Sequence, residues 1–355
     1  MENKKIKQDK KESVCGVVVT YNRKELLLEC LEALRKQTRP LQGIYLIDNA
    51  STDGTPKLLL EKGYIKELPP ENLTESWEKE FEIKNLTDGE TIKLHYVRMH
   101  ENTGGAGGFH EGVKRAYEKG YDWLWLMDDD AEPKEDALEK LAIHFNEENI
   151  SALAPLKVDR SEKILHPHRG YFNFDNVFGG IVKPFNESKL RNKSLEIDHA
   201  SFVGILVSRN SIQKVGFPKK EFFLHYDDVE YCIRLRKVGQ ILLVPDSIII
   251  HKESAKKGLP KIFLGRKSLR IPYNKFWLTY YGRRNLVWLG KKYSTSKLNF
   301  YFGMLKALIR SVIGVILFDD NKLKRIKLIV SAYIDGLKGD FDNEKPKRIL
   351  YKNSK

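Results

Sequence analysis

Three acidic residues in succession, Asp128-Asp129-Asp130, stand directly after the apolar run Trp123-Leu124-Trp125-Leu126-Met127. Adjacent carboxylates repel one another unless a cation or solvent relieves them. A divalent ion with hard oxygen ligands, together with the phosphates of a substrate, is the usual resolution. On an extended segment residues i and i+2 project to one side, so Asp128 and Asp130 can share an ion. The plainer alternative is an acidic surface turn capping a helix that begins near Pro133. A second acidic pair, Asp227-Asp228, precedes a helix predicted over 229–238. It is either an N-cap pair or a general base brought close to the ion, and neighbouring carboxylates push one of the two pKa values up. His251 ends the run Ile248-Ile249-Ile250, as if a strand delivered an imidazole to a defined place. Without a metal cluster awaiting it, such a histidine is structural.

Two further clusters are polar without being strongly charged. Asp48-Asn49-Ala50-Ser51-Thr52-Asp53-Gly54-Thr55 follows an apolar run. Its first carboxylate can accept from the N–H of a nucleobase while Asn22 and Asn49 supply amide contacts, or the whole can be a turn capped by its own side chains. Asn102 to Gly108 places four glycines in five positions before a helix predicted over 109–119. Missing Cβ atoms and a following helix N-terminus suit a phosphate, though glycine clusters also merely punctuate loops. The segment lacks the Gly-Lys-Ser/Thr of a P-loop and the full spacing of a dinucleotide fingerprint.

The elements that must position these clusters are strands alternating with helices. Val14–Thr20 reads as a buried parallel strand and Lys24–Gln37 as a helix with apolar residues at helical spacing. Gly43–Ile47 and Lys93–Arg98 are further strands, the polar stretch 64–90 between them reads as an excursion, and 241–244 and 248–251 read as separate strands. Each polar cluster falls at the carboxyl end of a strand, where open α/β sheets bind ligands.

The 355 residues are 41% hydrophobic and 31% charged, which supports a sizeable core and excludes wholesale disorder. Cys15, Cys30 and Cys232 are scattered, which argues against a disulfide framework or a zinc site and for a reducing compartment. The net charge of +14 is unevenly placed: residues 256–355 carry 24 basic against 6 acidic groups, leaving residues 1–255 slightly acidic. That split predicts a charged tail (1–13), a near-neutral catalytic or binding domain (14–255) and a basic C-terminal module (256–355). The first residues lack the apolar stretch of a signal peptide. The least polar later stretch, 302–318, is broken by Lys306 and Arg310, so no membrane span is predicted.

Taken together, Val-Val-Val-Thr-Tyr-Asn-Arg (17–23), Ile-Asp-Asn-Ala-Ser-Thr-Asp-Gly-Thr (47–55), Asn-Thr-Gly-Gly-Ala-Gly-Gly-Phe (102–109), Met-Asp-Asp-Asp (127–130), Tyr-Asp-Asp-Val-Glu-Tyr (226–231) and His251 resemble the inverting GT-A glycosyltransferases of family 2. The similarity is greatest to their galactofuranosyltransferase and rhamnosyltransferase branches. It implies an α/β fold: a Rossmann-like mixed sheet with helices on both faces, a nucleotide-sugar half (14–130), an acceptor half (131–255) and a helical extension. It further implies that Thr20, Asn22 and Asp48 hold the base and ribose of a UDP- or dTDP-sugar. Asn102, Gly104 and Gly105, with Arg98, would run along its pyrophosphate. Asp128, Asp130 and His251 would hold Mn²⁺ or Mg²⁺, with Asp129 beside them. Asp228 would be the general base, and so the member of the pair with the raised pKa, with Asp227 beside it orienting the acceptor, and His199, Ser201, Phe202 and Tyr226 would face the acceptor.

Tyr280-Tyr281-Gly282-Arg283-Arg284-Asn285 resembles a Tyr-Tyr-x-x-Arg-Asn element of the same branches. Beyond it, 298–318 and 323–337 mix apolar residues with lysine and arginine, fitting helices on an anionic bilayer surface, or a subdomain packed on the sheet or on a second subunit. The expected enzyme is cytoplasmic and peripheral on the inner membrane face. It transfers a sugar, galactofuranose before rhamnose, to a glycan or lipid-linked glycan. No nucleic-acid partner is expected, because the basic residues interleave with aliphatic helix faces. The rival readings are a sugar nucleotidyltransferase and a basic, non-enzymatic membrane-surface adaptor.

Overall fold

The computed structural model describes residues 12–252, 258–263 and 265–352. The tail up to residue 11 and the expected domain boundary at 255 lie outside them. Val14–Thr20 (β1) is buried along its whole length, as its β-branched run requires, and pairs in parallel with Gly43–Asp48 (β2) and Trp123–Asp128 (β5). Thr91–Arg98 (β4) extends this parallel set beyond β2. The register aligns the motifs: Thr20 pairs with Asp48, Asp48 with Arg98, and Val19 with Asp128. Four strand ends therefore present the chemistry along one edge of the sheet.

The excursion at 64–90 contains a strand that the sequence reading left out. Trp77–Lys84 (β3) pairs antiparallel with β4 at the sheet's edge, burying Phe81 and Ile83 while its charged residues face outward. That period-2 alternation is the missed signal.

The other half of the ten-stranded sheet is mixed. Ile205–Ser208 lies antiparallel between β5 and Ile150–Val158 (β7), and Gln240–His251 runs parallel to β7 as one strand interrupted between Val244 and Ile248. The separate strands expected at 241–244 and 248–251 are thus one. Ala131–Pro133 (β6) pairs antiparallel with its end, setting Ala131 opposite His251; a strand stands where a helix near Pro133 was expected. A small sheet of Arg169–Phe172, Val182–Pro184 and His199–Ala200 lies beside this half.

Helices cover both faces. Lys24–Arg35 (α1), Thr55–Glu61 (α2) and Ala137–Ala142 (α4) bury Leu27, Leu31, Leu59 and Leu138 on one face. Gly104–Lys119 (α3), Arg209–Val215 (α5) and Asp227–Leu235 (α6) bury Phe109, Val113, Ile212 and Tyr231 on the other. A third cluster belongs to a helical module of Leu278–Tyr293 (α7), Lys297–Phe318 (α8), Lys322–Lys338 (α9) and Lys345–Tyr351 (α10).

Helix α8 has 22 residues and is long and apolar enough to cross a membrane by length and composition, which corrects the expectation that Lys306 and Arg310 break the run. It is not a buried core helix. Phe300 and Val315 face inward, while Leu298, Phe302, Leu305, Ile309, Ile313 and Ile316 form an exposed apolar face.

Helix α3 starts at Gly104, not Phe109, so three of the four glycines serve packing rather than a loop. A Cβ on Gly107 would strike Thr103, one on Gly108 would lie 2.5 Å from Val19 Cγ1, and one on Gly104 would strike the Phe223 carbonyl, where φ +73° would strain a side chain besides. Only Gly105 faces open space. Gly112 likewise lets α3 approach Val17 and Ile47. Gly112→Ala is expected to lower stability by about 1–3 kcal/mol through overpacking, although alanine is the better helix former. Urea unfolding followed by circular dichroism measures this; an unchanged midpoint would show that α3 can move off the sheet.

Candidate active site

The triple aspartate divides its contacts. Asp129 is buried, accepts from Thr20 Oγ1 at 2.8 Å and meets Arg23 Nη1 at 3.2 Å. Asp130 meets the same guanidinium nitrogen at 2.7 Å and His251 Nε2 at 2.9 Å. The position of His251 follows from the β6 pairing and from a hydrogen bond between Lys252 N–H and the Asp130 carbonyl at 3.0 Å. Burial raises the Asp129 carboxyl to about 6 against the pull of Arg23 and Thr20. Burial works on Asp130 in the same sense, but the hydrogen bond and charge of His251, with Arg23, hold it down at about 2. Asp128 is pushed well above the usual carboxylate range by burial and by the charges of Asp130 and Asp129.

Asp128 lines a cleft of about 620 Å³ together with Gly105, His199, Asp227, Asp228 and His251. Asp227 and Asp228 open helix α6 instead of preceding it, and Tyr226, with φ +65°, is its cap. Asp228 accepts from Val229 N–H at 2.7 Å and lies 3.5 Å from His199 Nε2, an ion-pair separation rather than an aligned hydrogen bond. Burial opposes ionisation of Asp228, yet the adjacent His199 holds its pKa below the ordinary value, whereas burial and the Asp228 charge raise Asp227 to about 8. The raised carboxyl expected at Asp228 therefore falls on Asp227, because the histidine stands beside only one of the pair.

Ser201 and Phe202 line the same cleft, and Phe202 packs on Phe109 with ring centres 4.7 Å apart. Their backbone is set by Arg169, which sequence reasoning missed. Fully buried, it donates to Ser201 Oγ and to the carbonyls of Pro155, His168 and Val203. No local pattern announces it. Arg23 was legible as the first cation after β1 but was given no role.

The residues expected around a nucleotide are already engaged with one another. Asp48 is fully buried and accepts from Tyr96 OH at 2.8 Å, Arg98 Nη1 at 2.6 Å and Ser51 N–H at 2.9 Å. Arg98, expected along a pyrophosphate, pairs with Asp48 and donates to the Ser51 carbonyl. Asn22, at φ +55°, accepts from Thr52 N–H and so joins the loops after β1 and β2. Asn49 ties the loop after β2 to the start of α3 through Asn102, Thr103 and Gly104. Arg98, Ser51 and Thr52 line a second cleft of about 530 Å³ with Pro69 and Pro70.

Two carboxylates and an imidazole are suitable donors for a hard divalent cation. Asp130 and His251 touch and Asp128 lines the same cleft. Among the described residues no three such groups converge on one point, so a cation here needs ligands from elsewhere to complete its shell. The donor types fit Mg²⁺ or Mn²⁺.

An acid raised from 3.8 to about 8 keeps its proton in the folded state, while the unfolded chain releases it. Stability is therefore lost as pH climbs through that window. Asp227→Asn, which fixes the neutral form, should be more stable than the parent. The gap should open above about pH 4 and level off near pH 8, as thermal melts across that range will show; a gap that widens toward acid pH would contradict the assignment.

Comparisons with known proteins place this geometry. The model of the family described as glycosyl transferase family 2 matches residues 15–66 and 78–216. The galactofuranosyltransferase GlfT1 of Mycolicibacterium smegmatis is 27% identical over 238 residues, covering 64% of this chain and 67% of its own. The dTDP-rhamnosyl transferase RfbF of Shigella flexneri is 24% identical over 258 residues, 70% of this chain and 79% of its own. The chain thus spans about two thirds of the first relative's length. Among solved structures, GalNAc-T7 with UDP, GalNAc and Mn²⁺ superposes with a TM-score of 0.52 at 14% identity, covering 93% of this chain and little more than half, 56%, of that one. The mixed sheet with helices on both faces is the GT-A fold, and the chain belongs to the family 2 glycosyltransferases.

Proposed function

We propose that this glycosyltransferase works with inversion, taking a sugar from a UDP- or dTDP-sugar and passing it to a hydroxyl of a glycan or lipid-linked glycan. Galactofuranose is the favoured sugar and rhamnose the second, supported by the two relatives named above. The observation that carries the mechanism is a single cleft lined by two charge systems: Asp128 with His251, which pairs with Asp130 behind it, and Asp227-Asp228 with His199. The first suits a diphosphate leaving group, the second an incoming hydroxyl.

Asp228 is the carboxylate that takes the hydroxyl proton, since it is ionised at neutral pH while Asp227 stays protonated and can donate a hydrogen bond. Position at the start of α6 favours its negative charge. Asp128, Asp130 and His251 would hold Mn²⁺ or Mg²⁺, which when bound neutralises charge gathering on the leaving diphosphate. Gly105, open at the start of α3, offers backbone N–H groups to the same charge. Ser201, Phe202 and Tyr226 shape the acceptor side, with Arg169 fixing Ser201 from behind. Thr20, Asn22, Asp48, Arg98 and Asn102 form the frame on which the nucleoside rests.

The helical module is the proposed contact with the cytoplasmic membrane surface. The outward face of α8 is apolar, with Leu298 80% and Phe302 70% exposed, and Ile262, at 72%, stands on the neighbouring hairpin of Leu259–Phe263 and Arg266–Arg270. Lys306 and Arg310 are exposed on the same helix, and the last hundred residues carry the chain's excess of positive charge. Apolar area beside basic side chains is what an anionic bilayer surface recognises.

Release of UDP or dTDP from sugar nucleotides, with manganese or magnesium present, tests the activity. Asp228→Asn should keep nucleotide binding and lose transfer by about 10²–10⁴-fold. Excess EDTA should abolish turnover and Mn²⁺ restore it; full activity in EDTA would remove the metal from the mechanism. For the membrane, Phe302→Glu with Ile309→Glu should release the protein from phosphatidylserine vesicles in a flotation assay. High salt should weaken the parent's binding only in part. Equal flotation of parent and variant would assign α8 to protein packing instead.

A further inference from the structure

The backbone in front of the carboxylate pair is unusual. Phe223, His225 and Tyr226 have φ of +62°, +70° and +65°, three non-glycine residues out of four in the left-handed region. Such conformations persist only where the surroundings over-determine them. Here the surroundings are side chains of α7, which belongs to the helical module and not to the sheet. Asn285 Nδ2 reaches three carbonyls of the segment: Phe222 at 3.0 Å, Leu224 at 3.1 Å and His225 at 2.9 Å. Arg284 Nη2 reaches those of Glu221 and Phe222 at 3.0 and 3.1 Å, and its Nε fixes the Asn285 amide through Oδ1 at 3.0 Å. Both residues are fully buried. Arg284 is held in turn by Asn343 Oδ1 at 2.9 Å, and Tyr281 stacks on Phe223 with centroids 4.5 Å apart. On its far side the segment meets α3, where the Phe223 carbonyl accepts from Ala106 N–H at 3.1 Å in the space left by the missing side chain of Gly104.

We propose that Asn285, braced by Arg284, is a positioning residue for Asp227 and Asp228. By holding the carbonyls of Phe222, Leu224 and His225 it fixes the left-handed segment and so sets where the two carboxylates stand. The Tyr-Tyr-x-x-Arg-Asn element is thereby part of the catalytic apparatus although none of its polar side chains reaches the carboxylates. An amide suits this task because it offers two N–H groups to clustered carbonyls while its own oxygen is occupied by Arg284. A misplacement of about 1 Å at a reacting group costs on the order of 10²-fold in rate.

The test uses the full chain carrying Asn285→Leu, which keeps the volume and removes the donor. Hydrogen–deuterium exchange should quicken about tenfold or more across residues 222–231 and at the start of α3, as local opening demands. UDP affinity by calorimetry should stay within about twofold, while UDP release from sugar nucleotide falls about 10²-fold. Asn285→Ser, keeping one donor, should lie between parent and Leu variant, and serves alone if the Leu variant does not fold. Unchanged exchange in a folded variant overturns the proposal, as does a loss of UDP affinity in step with transfer, which would mean general damage. The kinetic arm rests on the glycosyltransferase mechanism proposed above, but the exchange arm does not. A parent that releases no nucleotide therefore counts against that mechanism, while the exchange result still decides the role of Asn285.

Discussion

Negative charge is concentrated at the end of one buried strand and the start of one helix, and much of the surrounding structure answers that concentration. Asp128 to Asp130 stand at the end of β5, a strand buried up to Met127, and Asp129 and Asp130 are themselves buried, so solvent screens them poorly. Compensation arrives from two distant places in the chain: Thr20 and Arg23, at and just after the end of β1, and His251 across the sheet through the β6 pairing. The Asp227-Asp228 pair repeats the problem and receives His199, with a smaller contribution from His168, both acting on Asp228. Its two members therefore titrate apart, one pushed toward the neutral form and one kept ionised. Leaving either set without partners would be costly, which is why the cleft is built from strand ends and loops that are tied together before any ligand enters.

What could be read from the sequence was the part encoded locally. Apolar runs ending in polar clusters gave β1, β2, β4 and β5, and the row from Thr20 through Asp48 to Arg98 follows once those strands pair in register. Glycine was ambiguous because its missing side chain serves two purposes. Packing against Val17, Val19 and Phe223 accounts for more of the α3 glycines than an approaching ligand does, and no spacing distinguishes the two. Charge alternation concealed β3, whose buried Phe81 and Ile83 are its only apolar residues besides Trp77. The bonds of Arg169 to Ser201 and Val203, and the unequal surroundings of Asp227 and Asp228, depend on residues more than 25 positions away, contacts that periodicity cannot encode.

The basic C-terminal region was legible as a module and as amphipathic helices, yet its relation to the catalytic centre was not. Composition separates it cleanly from the rest but left open whether it meets a membrane, the sheet or a second subunit. The hydrogen bonds of Arg284 and Asn285 show that α7 is packed into the sheet domain's most strained segment. Tyr280 and Lys345 both reach Asp335, binding α7 and α10 to α9 and making the module one cooperative body behind that contact. A module anchored in this way to the backbone in front of Asp227 and Asp228 has little freedom to drift.

The edges of the main sheet carry a different consequence. One is β3, whose outward side chains are Glu78, Lys79, Glu80, Glu82 and Lys84; the other is the three-residue strand Leu195–Ile197. A charged edge and a very short one are poor templates for an incoming strand. Copies at high local concentration would therefore resist joining edge to edge into fibrils. The protein can be concentrated without its ten-stranded sheet becoming a seed for aggregation.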